Sequence, residues 1–139
     1  MQQVKDANQR KTQSSFAYTL MRHDLLPELL GNEEETILYW AGKHLARKYP
    51  LSTAEEICDF FQKASWGTLS VLQEKANRLV FELIPNEPVP AHFKLEAGFL
   101  AKQYETITAC ITEAFDEVKK KRVLFTVESN AKEPIRESN

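Results

Sequence analysis

The spacing of apolar residues changes three times along this chain. It is helical from Phe16 to Ala64, alternating from Thr68 to Ile84, helical again from Lys94, and alternating once more near the end. A first helix is predicted from Phe16 to about Leu30, capped by Ser14 or Ser15, kinked at Pro27 and stopped at Gly31. Asn32, with Glu35 three residues on, predicts the cap of a second helix, and its first-turn glutamates suit the helix dipole. Ile37, Ala41, Leu45 and Tyr49, widened by Leu38, form the expected core stripe of that helix, which ends before Pro50. Ser52 with Glu55, or Thr53 with Glu56, offers a capping box for a short third helix that presents Ile57, Phe60, Phe61 and Ala64.

The run TLSVLQEK, a turn at Ala76 and Asn77, and the run RLVFELI predict a hairpin. Pro85, Pro88 and Pro90 then mark a loop. A fourth helix, about Lys94 to Ala109, carries Leu95, Leu100, Tyr104 and Ile107, with a face of small residues at Ala97, Gly98 and Ala101. The stretch after Cys110 is read as a strand antiparallel to RVLFTVES, giving a second hairpin. The expected fold class is α+β, about four helices packed on a twisted antiparallel sheet made of two hairpins. It occupies a single domain over residues 16–128, between a polar arm at 1–15 and a polar tail at 129–139 that are both expected to be mobile.

Composition narrows the function more than the fold. A chain of 139 residues, 42% hydrophobic and 27% charged, has the make-up of one folded domain. Its formal net charge of −2 gives nucleic acid and anionic lipid no long-range attraction. No stretch approaches the roughly 20 apolar residues of a membrane span, and the first fifteen residues lack the apolar centre of a secretory signal, so a cytoplasmic protein is expected. Cys58 and Cys110 lie far apart and are expected to be reduced thiols.

No nucleophile motif, Walker loop or dinucleotide fingerprint is present, so a non-enzymatic role is expected, without cofactor. His23, His44 and His92 are too dispersed to show metal-ligand spacing. Glu33 to Glu35 are explained by a helix N-terminus, and Lys119 to Arg122 by a solvated hairpin turn. The aromatic residues Tyr39, Trp40, Trp66, Phe93 and Phe99 either fill a core or line an apolar pocket. Gly42 in mid-helix costs about 1 kcal/mol relative to Ala, which implies close approach of another helix or of a ligand.

Three segments, LYWAGKHLARKYP (Leu38 to Pro50), ASWGTLSVL (Ala64 to Leu72) and KLEAGFLAKQ (Lys94 to Gln103), resemble the signature segments of the YslB-like proteins, an uncharacterised family of low-GC Gram-positive bacteria. That family is in turn similar to the TRAPP-subunit and four-vinyl-reductase fold. The resemblance implies a helical layer on an antiparallel sheet and a homodimer formed through the N-terminal helices, here about Phe16 to Tyr49. It also implies a domain that binds or senses a small apolar ligand, but it carries over no functional residue; the aromatic cluster and Gly42 are what single out Trp40, Trp66 and Phe99 as candidate pocket residues. The alternative is a dimeric scaffold with a solid core that docks a protein partner.

Overall fold

A computed structural model describes residues 16–135. The expected caps Ser14 and Ser15, the arm at 1–15 and the last four residues lie outside the described residues. The first helical segment, α1, is a π-helical stretch Leu20–Leu25 that runs into a short α-helical stretch Leu26–Leu30. A 3₁₀ turn, Gly31–Glu33, leads to α2 (Glu34–Lys48), and α3 spans Ala54–Lys63. Strands β1 (Gly67–Lys75) and β2 (Arg78–Pro85) precede α4 (Lys94–Thr108), which is followed by β3 (Cys110–Val118) and β4 (Val123–Pro134). The strands form one antiparallel sheet in the order β1-β2-β4-β3.

The architecture is α+β, with three α-helices of ten residues or more among the described residues. The first helix departs from the expected regular form. Pro27 has no N–H to donate, and the winding before it widens so that the Leu26 N–H reaches the Met21 carbonyl five residues back. The Asn32 cap does not form either, because the 3₁₀ turn takes its place and α2 starts without a side-chain cap. At α3 the second of the two possible boxes is used: Thr53 Oγ1 accepts from the Glu56 N–H at 3.2 Å. The chain also stays in β4 beyond Ser129, where a tail was expected, with Ser129 opposite Thr112 and Pro134 opposite Cys110.

Helix α4 is the spine of the core. It packs against α2 on one side and β3 and β4 on the other, while α3 lies over β1. Phe81 and Phe125 pair across β2 and β4 and face the helices, both fully buried. Gln103, buried in α4, ties down the chain between α2 and α3 by accepting from the Leu51 N–H at 3.0 Å and donating to the Tyr49 carbonyl at 2.8 Å.

The buried face of α2 is Leu38, Gly42 and Ala46, one residue round from the stripe expected at Ile37, Ala41 and Leu45. Small size decides this rather than apolar bulk. A Cβ on Gly42 would stand 2.0 Å from the Leu95 carbonyl oxygen, and one on Gly98 would stand 1.9 Å from that of Tyr39. The two helices therefore touch backbone to backbone, so Gly42 answers to another helix.

Candidate functional site

The residues proposed from sequence to line a pocket do not share one. Trp66 and Phe99 meet edge to face with ring centroids 5.4 Å apart, and Phe60 stacks on Phe99 at 4.6 Å. Phe61 closes the cluster, 4.9 Å from Trp66. Burying each such ring stabilises the fold by about 1.5–3 kcal/mol. Trp40 is elsewhere, 61% exposed on the outer side of α2 and stacked on His44. With Leu38, Gly42 and Ala46 seated inward, α2 turns Trp40 outward.

The most concentrated chemistry lies where α1, the start of α2, the start of α4 and β3 converge. Arg22 is the one buried residue of α1, and Glu96, in the first turn of α4, is wholly buried. They form a bidentate pair: Nη1 donates to Oε2 at 2.8 Å and Nη2 to Oε1 at 3.0 Å. Arg22 also donates to the Tyr18 hydroxyl at 3.2 Å and the His92 carbonyl at 3.0 Å. Burial works to lower the Arg22 pKa, but the charge and hydrogen bonds of Glu96 outweigh it and hold the guanidinium above its ordinary value. Burial, reinforced by Glu96, pushes the Tyr18 phenol up to about 12.

The same loop supplies two further pairs. His92 Nε2 lies 2.5 Å from Glu34 Oε1, and its Nδ1 accepts from the Lys94 N–H at 3.3 Å, which fixes the proton on Nε2. Lys94 Nζ reaches Asp116 Oδ1 at 2.7 Å, and the Phe93 N–H donates to Asp116 Oδ2 at 3.1 Å. Burial opposes ionisation of Asp116, yet those contacts hold its carboxyl below the ordinary value. Arg22 is thus paired with Glu96 and Lys94 with Asp116, while Glu34 meets His92 through one oxygen and keeps its other, Oε2, buried without a hydrogen-bond partner. Among the described residues no three His, Cys, Asp or Glu converge as metal ligands.

Sequence reasoning missed this network because its members are scattered from Tyr18 to Asp116 and share no motif. One signal was available. Glu96 and Gln103 stand among Phe93, Ala97, Leu100 and Tyr104 on a helix buried over most of its girth, and a polar residue in such a place requires a partner.

The second notable surface is apolar. On α1 and the helical turn at 16–19 that leads into it, Phe16 is 64% exposed, Leu20 45%, Leu25 42% and Leu29 67%. In a regular α-helix five residues turn about 140° past a full circle, which would set Leu25 away from Leu20. The wider π winding brings residue i+5 back toward residue i, so the four side chains form a stripe. Ile37 and Trp40 add exposed apolar surface on α2. Separately, the free margin of β3 is occupied at two points: the Thr112 N–H donates to Glu105 Oε1 and the Ala114 N–H to the Tyr39 hydroxyl, each at 3.2 Å. No described helix is long and apolar enough to cross a membrane.

A helical layer with a glycine-to-glycine crossing, laid on one face of a four-stranded antiparallel sheet, defines the class. Residues 15–128 match the family described as protein of unknown function DUF2507, and the chain belongs to that family. It is similar to the uncharacterised protein YslB of Bacillus subtilis, 40% identical over 132 residues that cover 88% of each chain. The resemblance drawn from the segments around Trp40, Trp66 and Phe99 therefore holds. Among solved structures it is similar to a vinyl-4-reductase family protein from Methanocaldococcus jannaschii, with a TM-score of 0.56 and 21% identity over 67% of this chain and 68% of that one. That likeness is one of fold.

Proposed function

We propose that this protein is a non-catalytic interaction module that works as a homodimer, joined through the stripe on α1 and the outer face of α2. The observation that carries the reading is that α1 and the helical turn leading into it present Phe16, Leu20, Leu25 and Leu29 to solvent and bury none of them. With Ile37 and Trp40 they offer apolar surface on the order of the roughly 800 Å² per partner of a standard interface. A second copy fits because α2 is complementary to itself. It is acidic at its start and basic at its end, with Trp40 near the middle. A two-fold axis beside Trp40 sets Glu33 of one copy opposite Arg47 of the other. The non-catalytic reading draws support from the internal pairing of Arg22, Glu34, His92, Lys94, Glu96 and Asp116. The reductase name belongs to the structural neighbour, and only its fold is shared.

A solid aromatic core around Phe99 favours the scaffold over an apolar-ligand carrier. Sedimentation equilibrium of the full chain tests the assembly. Wild type sediments as a dimer, and Leu29→Glu and Trp40→Ala shift it to monomer with unchanged far-UV circular dichroism. A monomeric wild type at tens of micromolar would sink the reading.

A further inference from the structure

We propose that the Arg22–Glu96 ion pair is a latch that sets where α1 stands, and through it where the dimer surface is presented. The inference rests on the homodimer reading for its consequence, but the latch itself stands on geometry. An ordinary surface helix is held by the apolar residues it buries; α1 buries only an arginine. The guanidinium makes four hydrogen bonds, three of them to the body of the domain at Glu96 and the His92 carbonyl and one to Tyr18 within the same segment. Leu26 and Leu30 are half-buried and Tyr18 packs against the core, but Phe16, Leu20, Leu25 and Leu29 face outward and add nothing to the seating of α1.

The joint on the other side is permissive. Gly31, with φ of +54°, is a residue whose backbone freedom exceeds that of any other type, and only two backbone hydrogen bonds, its N–H to the Pro27 carbonyl and the Glu34 N–H to its own carbonyl, hold it in this form. The receiving end is fixed, because Glu96 lies in the first turn of the spine helix and His92, whose carbonyl takes Arg22, is itself tied to Glu34 at the start of α2. One loop thus holds α1 and α2 in a set relation, and the stripe on α1 keeps its place relative to α2 only while the pair is closed. A buried pair is weak as a source of stability but strict in geometry, which is what positioning requires. Arg22 and Glu96 are positioning residues that touch no partner.

The test uses hydrogen exchange and sedimentation on the full chain carrying Arg22→Ala or Glu96→Gln. Arg22→Ala is the milder change, since lifting α1 opens Glu96 to water at a helix N-terminus, where a carboxylate is favoured. Amides from Leu20 to Leu30 should exchange about tenfold faster or more, with α2 to β4 unchanged, and the dimer dissociation constant should rise about tenfold or more. Repeating the exchange in the Leu29→Glu background separates the two ideas. Faster exchange of α1 there upholds the latch even if wild type never dimerises. Unchanged exchange of α1 in both variants, or a dimer as tight as wild type with α1 released, overturns the proposal. If Glu96→Gln fails to fold, Arg22→Ala alone decides.

Discussion

Gly42→Ala puts the backbone contact between α2 and α4 to a direct test. The added methyl would lie 2.0 Å from the Leu95 carbonyl oxygen, 2.7 Å from the Phe99 nitrogen and 3.0 Å from the Leu95 carbonyl carbon. All three are backbone atoms of a buried helix, so no side chain can swing aside, and the helices must part by about 1 Å or more to reach ordinary contact. Overpacking costs about 1–3 kcal/mol where neighbours can adjust, and this site belongs at the upper end or beyond. Replacing a mid-helix glycine returns about 1 kcal/mol of helix propensity. The net is a loss of about 2–3 kcal/mol, which for a domain of this size lowers Tm by roughly 10 °C. Thermal unfolding followed by circular dichroism reads it, with Lys43→Ala as the neighbouring control. Gly98→Ala should cost a similar amount, since its methyl would meet the Tyr39 backbone at 1.9 Å. The double variant should cost less than the sum, because helices already parted by one methyl have room for the other. A Gly42→Ala protein as stable as wild type would refute the reasoning.

Thr53→Ala removes the oxygen that accepts the Glu56 N–H and should cost about 1 kcal/mol by urea denaturation, whereas Ser52→Ala, whose hydroxyl takes no part in the box, should be neutral. Asp116 gives up its proton more readily folded than unfolded. Its stabilisation is complete above about pH 5 and is lost as pH falls through its depressed folded value, so the gap in denaturation midpoint between wild type and Asp116→Asn should close in acid.

The elements themselves were largely readable from the chain. Alternation in RLVFELI and RVLFTVES located two strands, and Ile57 with Phe61 marked the buried face of α3. What escaped was which side of α2 is inside. Apolar periodicity weighs side chains by transfer energy, but α2 is seated by the absence of a side chain at Gly42 and the smallness of Ala46. Trp40 was singled out as one of a set of aromatics on the helix that carries Gly42, and with Leu38, Gly42 and Ala46 facing inward it stands about 200° round the wheel from Leu38, away from Trp66 and Phe99. The π winding of α1 was equally hidden, because it follows from a choice between hydrogen-bond partners that Pro27 only biases. The ion pair between Arg22 and Glu96 spans 74 residues, a separation that no local spacing rule covers.

The side-chain oxygens of Glu105 and Tyr39 that take the Thr112 and Ala114 N–H groups blunt one margin of the sheet as a template. Growth by strand addition requires each molecule to receive at one margin and offer another. Here β1 is left, with its residues from Ser70 to Lys75 exposed. Two molecules that meet there use up the more open margin of each, so edge-to-edge misassembly favours a pair over a fibre.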